Sequence, residues 1–203
     1  MSAFLGPIHY WLYNKIRLQQ DIVDELYELG KENGLTLEEE CNSRFGSFEN
    51  KPLEEMIDPG NIHGWLQERV SQVEYKYAYS VTKLLEKNKE SKEKLLTILK
   101  SKGINLAILL KELRLNADGI YKAITDNLLD GMPCDHANRI VSKEENEVIW
   151  SREICVHQAY WEEVGGDINL YYELRDAFLT GFIRELGHSY ERINETTYRI
   201  SRA

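Results

Sequence analysis

Four residues in the last third of the chain carry side chains suited to chemistry. Cys134 and His136, then Cys155 and His157, form two copies of a Cys-x-His triplet. Thiolates and imidazoles are ligands of a borderline-soft divalent metal, and two of each complete a tetrahedral zinc site. Between the triplets, Arg139, Ile140 and Val141 face Val148, Ile149 and Trp150 across a polar Glu144-Glu145-Asn146-Glu147 cluster, the pattern of a β-hairpin. With the turn centred on Glu145-Asn146, Cys134 falls opposite His157 and His136 opposite Cys155. Opposed residues share a face, as do positions two apart on one strand, so all four project from the open end of the hairpin. A slip of one residue in register removes the site. The competing reading makes Cys134 and Cys155 small buried apolar residues, as unpaired cysteines commonly are.

A second pair of imidazoles lies in an internal echo. Gly6-Pro7-Ile8-His9-Tyr10-Trp11-Leu12 matches Gly60-Asn61-Ile62-His63-Gly64-Trp65-Leu66 at glycine, isoleucine, histidine, tryptophan and leucine, and Lys15-Ile16 then parallels Arg69-Val70. Each copy opens a long helical pattern. His9 and His63 therefore sit near the positive ends of helix dipoles, with Trp11 and Trp65 packed one turn in. If the two helices pack about a pseudo-twofold, His9 and His63 meet, and the four residues line or complete a cofactor site. The plainer reading is that both starts fix helix entry by packing. Glu185-x-x-His188 has the spacing of a di-iron motif but lacks the second copy and the further helical carboxylates such a site requires. Cys155 beside an imidazole has the makings of a nucleophile, without an evident third member.

The elements that must position these groups follow from periodicity. Leu12, Ile16, Val23 and Leu26 mark one helix from Pro7 to about Gly34, and Thr36 to Glu39 reads as a capping box. Leu66, Val73 and Ser80, with Val70, Tyr77 and Leu84, keep heptad spacing from Ile62 onward, so that helix packs lengthwise against another. Residues 93–102 form a short helix closed by Gly103, residues 104–115 an apolar buried helix, and Ile120, Ile124 and Leu128 a further one. Asp167 caps a helix with Tyr171, Leu174, Phe178 and Phe182 inward, where Gly181 implies close approach by another element. A final hairpin turns at Asn194-Glu195. The fold class is α+β and predominantly helical: a helical bundle over residues 1–130, then a smaller unit of two β-hairpins and a helix over residues 131–203.

Hydrophobic residues at 42% and charged ones at 29% are ordinary for a globular chain, and 203 residues suffice for a sizeable core. A net charge of -9 argues against nucleic acid or an anionic membrane as the main partner, leaving room for a local basic patch. No apolar run approaches the roughly 20 residues that span a bilayer, and the N-terminal stretch lacks a signal-peptide pattern. Three cysteines without disulfide-framework spacing fit a reducing cytoplasm.

The order of the last third, a hairpin ending in a cysteine-bearing strand, a helix carrying Ala177-Phe178-Leu179-Thr180-Gly181-Phe182 and a closing hairpin, resembles the 4-vinyl reductase type of small-ligand-binding domain over about residues 137–202. The resemblance implies sensing or handling of small hydrophobic molecules, sometimes with a metal. The family's closing Cys-rich segment has no counterpart here. Three functions follow as expectations. The first is a small-molecule or metal-binding sensor or accessory protein holding zinc, or alternatively iron or haem. The second is a metal-assisted hydrolase, and the third an interaction scaffold that forms a homodimer through residues 62–85.

Overall fold

The computed structural model describes residues 4–203. In chain order it contains α1 (Pro7–Glu32), α2 (Leu37–Phe45), α3 (Leu53–Met56), α4 (Ile62–Lys87), α5 (Ser91–Leu110), α6 (Ala117–Asn127), β1 (Asn138–Lys143), β2 (Glu147–Arg152), α7 (Gln158–Glu163), α8 (Ile168–Glu185), β3 (His188–Arg192) and β4 (Thr197–Arg202). The protein is α+β and mainly helical, as expected.

Two compact units divide it. The helical unit takes the chain up to Lys89, with Asp126–Cys134 and His157–Gly166. The other takes Glu90–Thr125, Asp135–Val156 and Asp167–Ala203. The boundary expected near residue 130 is thus displaced. Helix α5 and most of α6 belong with the strands, and two short pieces of the last third belong with the N-terminal helices. A boundary drawn where helices give way to strands assumes one element type per unit, whereas burial groups elements by the apolar faces they cover.

In the helical unit, α1 and α4 start together at His9 and His63, and further along Asp24 of α1 feels the charge of Lys76 on α4, so the two run parallel. Leu12, Ile16, Val23 and Leu26 are buried on α1, and Leu66, Val70, Val73, Tyr77, Ser80 and Leu84 on α4. One core cluster joins Leu12, Tyr13 and Ile16 to Leu66, Val70 and Val73. The heptad seam of α4 is therefore filled by α1 of the same chain. The apolar stripe that suggested a homodimer has its partner already. The capping box at Thr36 does not form; its hydroxyl donates to Glu40 instead.

In the second unit, α5 is one helix of 20 residues rather than two, and Gly103 lies inside it. Its reason is contact with α8. A Cβ on Gly103 would sit 2.2 Å from the Phe178 carbonyl oxygen, and one on Gly181 would sit 2.3 Å from that of Lys100. Each glycine lets the opposite backbone in. Lys92 pairs with Glu173 and Lys111 with Glu185, so these helices also run parallel. The stretch expected as a buried helix leaves Ile108, Leu109 and Leu113 exposed, because only one face of α5 meets α8. The strands form an antiparallel sheet in the order β1-β2-β4-β3, with the two hairpins where the turn residues placed them.

Candidate functional site

The two helix starts do bring their histidines together. His9 Nε2 lies 3.4 Å from His63 Nε2, with ring centroids 5.5 Å apart. That separation equals, to within about 0.1 Å, the bite of two imidazoles on a tetrahedral zinc with Zn–N near 2.05 Å. The proton arrangement decides against ligation in this geometry. The Gly6 amide donates to His9 Nδ1 at 2.9 Å, which makes Nδ1 an acceptor and leaves the neutral ring's proton on Nε2. His9 Nε2–H then donates to His63 Nε2, and neither nitrogen has a lone pair to spare. The pair acts as a clasp between helix starts, with His9 also satisfying a free backbone donor at its own helix. The copies differ in detail: α1 begins after Gly6, while Asn61 caps α4 by accepting from the Gly64 amide.

The echo extends further than the aligned letters suggested. Lys15 Nζ lies 3.5 Å from the Trp11 ring centre, and the Arg69 guanidinium 5.4 Å from that of Trp65. Each tryptophan thus carries a cation one helical turn on. The two sites then diverge. Trp11 is committed to structure, because its Nε1 donates to Asp126 at 3.0 Å. Trp65 instead lines an open cavity of about 350 Å³, with Phe48, Met56, Lys51, Glu55 and Arg69 around it. Arg69 binds Glu68 through Nη2 at 2.6 Å, yet its buried Nε–H has no acceptor. The cavity therefore sets the half-buried Trp65 ring, a thioether and a benzyl ring among mostly polar surroundings, where Glu49 and Glu55 stand with Lys51 and Arg69, and the Nε–H of Arg69 is buried without a partner. Of the residues expected at a cofactor site, Trp65 lines this cavity, His9 and His63 form the clasp, and Trp11 packs elsewhere.

The double Cys-x-His does not assemble as the facing pairs required. A bulge between Ile140 and Ser142 changes the register of β1 on β2, from Lys143 opposite Val148 to Asn138 opposite Arg152. Continued outward, that pairing sets His136 against Ile154, the one-residue slip on which the site depended. Pairing in any case stops at Ala137, whose carbonyl accepts from both Glu153 and Ile154. Cys134 lies exposed in a short 3-10 turn, Pro133–Asp135, and His136 takes a left-handed backbone with φ 49°. Cys155 accepts a hydrogen bond from the Tyr172 hydroxyl at 3.0 Å. Among the described residues, no group of three or more His, Cys, Asp or Glu side chains is arranged to hold a metal ion.

His157 has a different role. Only 2% exposed, it places Nδ1 3.0 Å from Glu74 Oε1 and Nε2 3.6 Å from Asp130 Oδ1. Burial opposes its charge, but Glu74 and Asp130 outweigh that and push the imidazole up to about 9. The ion cluster fixes the start of α7 on α4, helped by Tyr160 edge-on to Tyr75 and Trp161 edge-on to Tyr77. Sequence reasoning missed Glu74, Asp130, Phe48 and Met56, none of which belongs to a repeated motif. Arg69 was signalled by the echo itself. No protein-family model, curated protein or solved structure matches this chain.

Proposed function

We propose that this chain is a small-molecule-binding protein, a sensor or accessory, whose ligand occupies the Trp65 cavity of the helical unit. The observation that carries the reading is the buried Arg69 Nε–H without an acceptor, on a residue that lines an open cavity together with the half-buried Trp65. An unmade buried hydrogen bond is costly, so a ligand that supplies the acceptor recovers it. A cavity of about 350 Å³ falls at the lower end of ligand pockets, which suits a planar molecule of one or two rings bearing a carboxylate or carbonyl. The ring would stack on Trp65 between Phe48 and Met56, and the acceptor would face Arg69. The histidine clasp supports this site indirectly, by holding the first turn of α4, from which Trp65 projects.

The test is a titration with a panel of one- and two-ring aromatic carboxylates, read by fluorescence of a variant in which Trp11, Trp150 and Trp161 are phenylalanine. Saturable quenching that Arg69→Gln weakens by roughly tenfold supports the proposal. Quenching absent across the panel, or unaffected by Arg69→Gln, contradicts it.

A further inference from the structure

The second unit contains a larger cavity of different character. About 700 Å³ in volume, it is lined by Lys111 and Arg114 after α5, by Arg184 and Glu185 at the end of α8, by His188 at the start of β3 and by Arg202 at the end of β4. Glu185 is the one carboxylate among the lining residues and is engaged by Lys111 at 2.6 Å. The guanidiniums of Arg114, Arg184 and Arg202 have no ion pair or side-chain hydrogen bond among the described residues. In a chain of net charge -9, where carboxylates outnumber cations 34 to 25, three uncompensated arginines around one hollow need a reason.

Two ordinary explanations are available. Cations favour helix C-termini, and α5 and α8 end here side by side. That accounts for a cation at each helix end, as with Arg184 in the last turn of α8, but not for Arg202 at the end of a strand. Isolated surface charge is the other explanation, but exposed Arg139 in this unit pairs with Glu153, and half-buried Arg192 and Arg199 hold Asp176 and Glu147 with Glu191. Arg114 also occupies a left-handed backbone conformation, φ 48°, at a position where glycine is usual.

We propose that this cavity binds a soluble oligo-anion of the diphosphate class. Guanidinium forks match phosphate oxygens two at a time, and three arginines line one hollow the size of a small-molecule site. His188 Nδ1 donates to the Leu186 carbonyl at 3.2 Å, leaving Nε2 for a ligand oxygen or its proton. The acidic balance of the whole chain disfavours a long polyanion such as nucleic acid, while a concave local cluster concentrates a small one. Unlike the Trp65 site, this one shares no residue with the helical unit, so the two proposals fail separately.

The test is isothermal titration of the full chain with inorganic pyrophosphate at fixed ionic strength. Saturable binding is expected, weakened by roughly tenfold in Arg184→Gln and again in Arg202→Gln, and left unchanged in Arg199→Gln. Affinity should fall steeply as salt rises. Arg184 and Arg202 are exposed and Arg199 is half-buried, and matching thermal unfolding curves verify that the variants are folded. The proposal is overturned by absence of saturable pyrophosphate binding, by equal binding in all variants, or by binding to phosphatidic-acid vesicles with none to pyrophosphate.

Discussion

Glu74 and His157 meet at 3.0 Å where water is excluded, and this contact sets a pH signature on stability. An imidazole raised from its ordinary 6.5 to about 9 binds its proton more tightly in the folded chain than in the unfolded one. Its contribution is fully present below pH 6.5 and is lost as pH rises through 9. Denaturant unfolding across that window should show stability falling, and His157→Gln should flatten the slope. The same variant strands Glu74 and should cost roughly 3–5 kcal/mol at neutral pH. An unchanged slope in His157→Gln would show that other groups carry the dependence. The cysteines make a second residue-scale test. Cys134 is exposed, while Cys41 is buried and burial pushes its thiol up. Iodoacetamide should label Cys134 in the native protein and Cys41 only on unfolding; rapid native labelling of Cys41 would contradict the packing of α2 on α4.

Two parallel helix pairs, α1 with α4 and α5 with α8, carry the two units, and different devices join them. The first pair is joined by an apolar seam and a histidine clasp. Removing the clasp in His9→Ala also removes the Gly6 cap and should cost about 1 kcal/mol, the usual worth of an N-terminal cap. His63→Ala leaves the cap intact and should cost less. The second pair is joined by backbone approach. Gly103→Ala and Gly181→Ala should each destabilise by roughly 1–3 kcal/mol despite alanine's better helix propensity, because the added methyl meets a carbonyl. Stabilisation by either would mean that the helices separate without cost. Much of this architecture was legible beforehand. Periodicity located α1, α4 and α8, turn residues located both hairpins, and Gly181 announced a close contact. Gly103 misled, because a glycine that ends a helix and one that admits a neighbour look alike in a linear chain. The facing pairs expected of the double Cys-x-His are lost to a bulge at Val141, which β-branched residues do not advertise. His157 was expected as a metal ligand; its partners in the structure are Glu74, 83 positions away on α4, and Asp130 in the Asp126–Cys134 segment, where no local pattern points to them.

At the scale of the whole molecule, no helix among the described residues is long and apolar enough to cross a membrane. Each unit has its own core and its own cavity, and the chemistry of the two differs. One offers an indole and a single unmet arginine N–H, the other three unpaired guanidiniums in an otherwise acidic chain. The central claim concerns the first. Its most direct test is a two-dimensional amide NMR titration of the full chain with 2-naphthoate. The account predicts saturating shifts centred on Phe48, Met56, Trp65 and Arg69, with the Arg69 Nε–H signal moving downfield as it gains an acceptor. Shifts scattered over the surface, or centred on the arginine cavity of the second unit with the Trp65 signals unmoved, would contradict it.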